Sequence, residues 1–186
     1  LGSVASGNRL VVSNGAVVAS GFTINVGGAA SSTNNRVVVN GGTLLATNAA
    51  RSGQLDIRRG TNVLSSGSIH VDRLLLTNSA SRFEFNGGTL LTKSTTNNNG
   101  IAFGVGDGAN AATFNLGGTG THFFANGLSV NSNGSMIGNG TIIGSVTIQP
   151  GGTLSPGTSV GKLVFNTAPT LLGQVALEIS KDGTTL

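Results

Sequence analysis

Any acid–base or metal chemistry in this 186-residue chain must be built from six acids, Asp56, Asp72, Glu84, Asp107, Glu178 and Asp182, and two histidines, His70 and His122, because there is no cysteine or tyrosine. Cleavage of a glycosidic bond needs two carboxylates facing one another across the bond. The best available constellation is Asp56 with Asp72, which would meet if they fell one coil apart in a stacked fold, with Arg58 and His70 beside them. Against this, Leu55 and Ile57 flank Asp56 with the two-residue alternation of a strand, so Asp56 turns outward when they turn in. Glu84, between Phe83 and Phe85, turns outward for the same reason. The expectation is that Asp56 and Asp72 are outward-facing strand residues and that no residue is catalytic.

Two further motifs fall short of a site. Gly104-Val-Gly-Asp-Gly108 has the look of a phosphate-cradling loop or of one calcium-binding nonapeptide, but no helix follows it and Asp107 is not repeated in register. His70 and His122 lie far apart in sequence and are expected to be ordinary strand residues. No Ser-His-Asp spacing supports a triad. Neither a cofactor nor a metal is expected.

The elements that would position these residues are set by a repeat. Arg36-Val-Val-Val-Asn-Gly-Gly-Thr-Leu-Leu45 returns as Arg82-Phe-Glu-Phe-Asn-Gly-Gly-Thr-Leu-Leu91. Looser copies stand at Arg9-Leu-Val-Val-Ser-Asn-Gly-Ala-Val-Val18 and Val146-Thr-Ile-Gln-Pro-Gly-Gly-Thr-Leu154. Each copy reads as a strand, a tight turn and a second strand, and such self-similarity marks a solenoid. Between the copies, short apolar runs such as Gln54–Ile57 and Arg73–Leu76 are bounded by Gly, Ser or Asn and lack the 3.6-residue period of a helix. The reading is an all-β parallel β-helix without helices, one domain over 1–186, with strands of three to five residues. At roughly 20 residues per coil it would have about eight or nine coils. The polar run Thr95-Thr-Asn-Asn-Asn-Gly100 reads as a loop or widened corner. An antiparallel sandwich or barrel is the rival, since Asn-Gly is also a hairpin signal. It gives no reason, though, for Asn and Gly to recur at one corner. The turn residues that carry this expectation are Asn40, Gly41, Gly42, Asn86, Gly87, Gly88, Gly151, Gly152, Pro156, Gly157 and Gly161.

Composition agrees. There are 31 Gly, 9% of residues are charged, 4% are aromatic and 38% are apolar, which is too hydrophobic for a chain that stays solvated. The formal charge of +4 raises nucleic acid as a partner. The basic residues are scattered singly apart from Arg58-Arg59, however, and no aromatic side chains interleave with them as a stacking platform. No nucleic acid partner is expected. No apolar run approaches the length needed to span a bilayer, so no membrane insertion by this segment is expected either.

Pro150-Gly-Gly-Thr-Leu-Ser-Pro-Gly-Thr-Ser-Val-Gly-Lys-Leu-Val-Phe165, followed by Leu171-Leu-Gly-Gln-Val-Ala-Leu-Glu-Ile179, resembles the autotransporter-associated β-strand repeat. The resemblance covers about thirty residues, with looser matches in the upstream Asn-Gly-Gly-Thr-Leu copies. It implies a right-handed parallel β-helix and a secreted or surface-exposed bacterial protein, and it assigns no ligand. Strand-like sequence running from Leu10 to Ile179 without helical caps suggests a segment of a longer solenoid or a filament subunit. The function expected is therefore a structural or adhesive module whose partners are copies of itself or a surface ligand. The alternative is a glycan-binding or glycan-cleaving β-helix using Asp56 and Asp72.

Overall fold

The computed structural model describes residues 1–157 and 160–179. They form strands and connecting segments with no helix. The strands are β1 (Arg9–Ser13), β2 (Val17–Ser20), β3 (Thr23–Val26), β4 (Asn35–Ala46), β5 (Gln54–Ile57), β6 (Gly60–Leu76), β7 (Ser81–Phe85), β8 (Gly88–Asn97) and β9 (Phe103–Val105). They continue with β10 (Ala112–Phe124), β11 (Leu128–Val130), β12 (Gly134–Ile143), β13 (Val146–Ile148), β14 (Thr153–Pro156), β15 (Leu163–Phe165), β16 (Thr170–Leu171) and β17 (Gln174–Val175). Every pairing between them is parallel.

Parallel neighbours need a long connection to return the chain to the same end. Here the connection is the rest of a coil. The chain runs along one face, bends onto a second, bends onto a third, and comes back one layer higher. On the first face Arg9 pairs with Arg36, Arg36 with Thr61, and Thr61 with Arg82. On the second, Val18 pairs with Leu44, then Ile69, Leu90, Phe114, Met136 and Leu154 follow in register. On the third, Ile24 pairs with Leu55, followed by Leu74, Thr95, His122, Ile142 and Phe165. The fold is a parallel β-solenoid of about seven coils, fewer than the eight or nine expected. The difference lies in the corners, where segments such as 27–34, 47–53 and 106–111 lengthen most coils beyond 20 residues.

Two other expectations change. The strands are not confined to three to five residues: β4 has 12, β6 has 17 and β10 has 13. Between the first and second faces pairing carries on through the bend, with bulges at Asn40 and Gly42 rather than a turn that ends the ladder. The polar run from Thr95 is also not a loop throughout, since Thr95, Thr96 and Asn97 finish β8, with Thr95 and Asn97 buried.

The interior is a stack of like on like. Val12, Val39, Leu64, Val105, Val130 and Ile148 are fully buried along the first face, and Leu44, Ile69, Leu90, Phe114 and Met136 along the second. Each such burial contributes about 1.5–3 kcal/mol. Midway, Phe103 lies 5.6 Å from Phe83, 5.6 Å from Phe114 and 5.4 Å from Phe124, ring centre to ring centre. On the first face one interior position breaks the pattern. Asn62 occupies the column of Val37 and Phe83, is fully buried, and neither of its amide atoms has a protein partner.

Candidate functional site

The predicted corner residues come together as a ladder at the bend between the first and second faces. Gly15 N–H donates to the Gly41 carbonyl at 2.8 Å, and Ser66 Oγ donates to Asn40 Oδ1 at 2.8 Å. Asn86 N–H donates to the Leu64 carbonyl at 2.9 Å. Gly41 is required by its φ of +83°, and the glycines around it by close neighbours, mostly backbone. A Cβ on Gly42 would stand 2.8 Å from the Ala16 carbonyl oxygen, one on Gly67 would strike the Gly42 carbonyl, and one on Gly88 would lie 2.6 Å from the Gly67 carbonyl oxygen. Gly152 meets the Val130 carbonyl in the same way. Gly87 would bring a Cβ to 2.6 Å from the Ser65 carbonyl oxygen, and Gly151 to 2.6 Å from Ser132 Oγ. Pro156 ends β14, Gly157 and Gly138 exchange backbone hydrogen bonds, and a Cβ on Gly161 would collide with Gly157. Thr158 and Ser159 of that motif, and Asp182, lie outside the described residues.

Asp56 and Asp72 are not brought together. Asp56 is in register with Asn25 and Leu75, whereas Asp72 sits at the bend between the second and third faces. Asp56 keeps its expected outward place between the buried Leu55 and Ile57 but is covered, with Arg58 over its carboxylate, whereas Asp72 departs from the expectation. Asp72 is fully buried and Asp56 is 6% exposed. At a bend the two-residue alternation is interrupted, and Asp72, next to the buried Val71, is covered by the corner segment that carries Asn48 and Gly53 and by Lys93. Its Oδ2 accepts from the backbone N–H of Asn48 at 2.9 Å and of Gly53 at 3.0 Å, and its Oδ1 binds Lys93 Nζ at 2.6 Å. Burial alone would push this carboxyl up, but Lys93 and the two amides outweigh it and hold the group below its ordinary value. Asp56 Oδ2 is taken by Arg58 Nε at 2.7 Å. His70 points outward between Leu45 and Leu91.

Glu84 and Asp107 are likewise engaged. Glu84 pairs with Arg36 at 3.0 Å. Asp107 closes its own turn, accepting from the N–H groups of Ala109 at 2.8 Å and Asn110 at 3.0 Å, which hold its carboxyl low. Among the described residues no three His, Cys, Asp or Glu side chains gather as a metal site would require.

His122 is not an ordinary strand residue. It faces inward in the column of Leu74, Thr95 and Ile142, fully buried, with Nδ1 3.1 Å from Thr95 Oγ1 and its ring edge-on to Phe114. Burial pushes its pKa down to about 4. The unfolded chain takes up this proton near 6.5, the folded one only near 4, so stability present above pH 6.5 is lost as pH falls toward 4. Between pH 7 and 4.5 the loss should reach about 2.4 kcal/mol. Denaturant unfolding at the two pH values checks this, with Thr95→Val/His122→Leu expected to flatten the difference. An equal difference in wild type and variant would show that another group is responsible.

The arrangement that sequence spacing hid is basic. Arg9, Arg36 and Arg82 share one outward column of the first face, interrupted only by Thr61. Their intervals in the chain are unequal because the intervening corners differ in length, so no motif announces them. Beside the column, at the bend from the third face to the first, Thr33, Asn34, Arg59, Thr61 and Arg82 line an open cavity of about 420 Å³. Arg82 is held there by donating from Nη1 to the carbonyls of Ser79 at 2.6 Å and Ser81 at 2.7 Å.

Comparisons with family models, with curated proteins and with solved structures return no match to this chain. Among the described residues no helix is long and apolar enough to cross a membrane.

Proposed function

We propose that this chain is a non-enzymatic structural module, a section of rigid β-solenoid rod in a secreted or surface-exposed bacterial protein. The observation that carries the reading is the fate of the acids: Asp56, Asp72, Glu84 and Asp107 are each engaged in an ion pair or a turn, and no two form the opposed pair that sugar cleavage needs. The resemblance of Pro150–Ile179 to the autotransporter-associated repeat supports the surface location. The first and last coils support association. Among the described residues β1, β2 and β3 pair on one side only, as do β16 and β17, and Val17, Phe22, Leu171 and Leu172 stand exposed beside them. Such edges accept a further parallel strand.

Electron microscopy of the purified chain over a rising concentration series tests the association. Filaments longer than one rod are expected; isolated rods at every concentration would remove self-association from the reading. A polysaccharide panel tests the non-enzymatic part, because release of reducing ends that disappears in Asp56→Ala would overturn it.

A further inference from the structure

The basic column has no structural task that accounts for it. Interior packing does not need it, since Arg9, Arg36 and Arg82 all project outward. Ion pairing accounts for one member: Arg36 reaches across two coils to Glu84, and both side chains are 45% exposed, a setting in which a pair contributes little. Arg9, Arg59 and Arg82 have no carboxylate partner among the described residues. Four guanidinium groups along one corner therefore face one carboxylate.

From this we infer that the first-face arginine column and the adjoining cavity form a binding site for an acidic polysaccharide, one whose uronate or sulfate groups meet Arg9, Arg59 and Arg82 as the polymer lies along the rod. The chemistry follows from three observations. Guanidinium groups bind carboxylates and sulfates through paired N–H donors, and Arg82 is already oriented by two backbone carbonyls while keeping its other nitrogens free for a ligand. The arginines of the column stand on the first, second and fourth of four stacked layers about 4.8 Å apart, so Arg9 and Arg82 are spread along the rod, which suits an extended polymer with repeated charges better than a single compact anion. The cavity supplies neutral polar groups, Thr33, Asn34 and Thr61, suited to sugar hydroxyls, and its volume lies within the range of small-ligand sites. Nucleic acid fits less well. No aromatic residue lines the cavity or stands in the column to stack a base.

Binding of the full chain to polygalacturonate, dextran sulfate and neutral dextran, measured by biolayer interferometry, tests the inference. The two charged polymers should bind and neutral dextran should not. Arg59→Gln/Arg82→Gln should weaken binding at least about tenfold, as should Arg9→Gln/Arg59→Gln, which leaves the Arg82 anchor intact. The control, Arg51→Gln/Arg73→Gln, removes the same charge at the bend between the second and third faces and should change affinity less than about threefold. Several outcomes would overturn the inference. These are absence of binding, equal loss in column and control variants, duplex DNA bound as tightly as the polysaccharides, or full competition by inorganic sulfate at the concentration of the polymer's own charges.

Discussion

Replacing Asp72 by alanine is expected to destabilise the solenoid by about 3–5 kcal/mol, the cost of removing one partner from a buried ion pair with its hydrogen bonds. The reason is its position between layers. Asn48 and Gly53 belong to the coil below, Asp72 to its own, and Lys93 to the coil above, so one carboxylate ties three successive coils. Alanine leaves two amides and an ammonium group without their acceptor. Asp72→Asn should be milder, because one amide oxygen can still accept. Lys93→Met should be milder again, since the Lys93 side chain is 31% exposed and the buried carboxylate keeps both backbone donors. Denaturant unfolding ranks the three, and hydrogen exchange localises the effect: the Asn48 and Gly53 amides should lose protection first in Asp72→Ala. If Lys93→Met proved as damaging as Asp72→Ala, the ion pair and not the corner amides would be the main element.

The second large effect is expected at Gly67. Its φ is +81°, and an added Cβ would run into the Gly42 carbonyl of the coil below and lie 2.8 Å from Gly42 N. Gly67→Ala combines the left-handed backbone penalty of about 1–2 kcal/mol with overpacking of about 1–3 kcal/mol. Gly15→Ala separates the two. Gly15 has φ +75° at the same corner but open space where the Cβ would go, so only the backbone cost of about 1–2 kcal/mol should appear. Thermal or denaturant unfolding of the pair measures the difference. Equal losses would mean that crowding between coils plays no part in selecting glycine.

Much of this fold was legible in the residues because like stacks on like. Asn-Gly-Gly at 40–42 and 86–88 recurs because the same corner recurs, and the corner needs glycine where carbonyls of the coil below crowd it. What could not be read was anything depending on register. The Arg9, Arg36 and Arg82 column is regular in space and irregular in sequence. Asp72 was misjudged because alternation holds only along a straight strand and it sits at a bend. Thr95, Asn97 and His122 were misjudged because polarity was taken as exposure. Inside, His122 Nδ1 meets Thr95 Oγ1 and Asn97 Nδ2 donates to the Ile101 carbonyl at 2.9 Å, so these polar groups enter the interior with at least one partner each, unlike Asn62.

The unequal coils carry a further consequence. All variation in coil length is taken up at the corners, while the three faces keep their layer spacing. The height of the rod therefore counts coils, not residues. Loops at the bends can lengthen, shorten or change character without moving the layers above them. Such a body behaves as a ruler with interchangeable markings: its reach is set in steps of about 4.8 Å, and what is displayed at each step is free to differ.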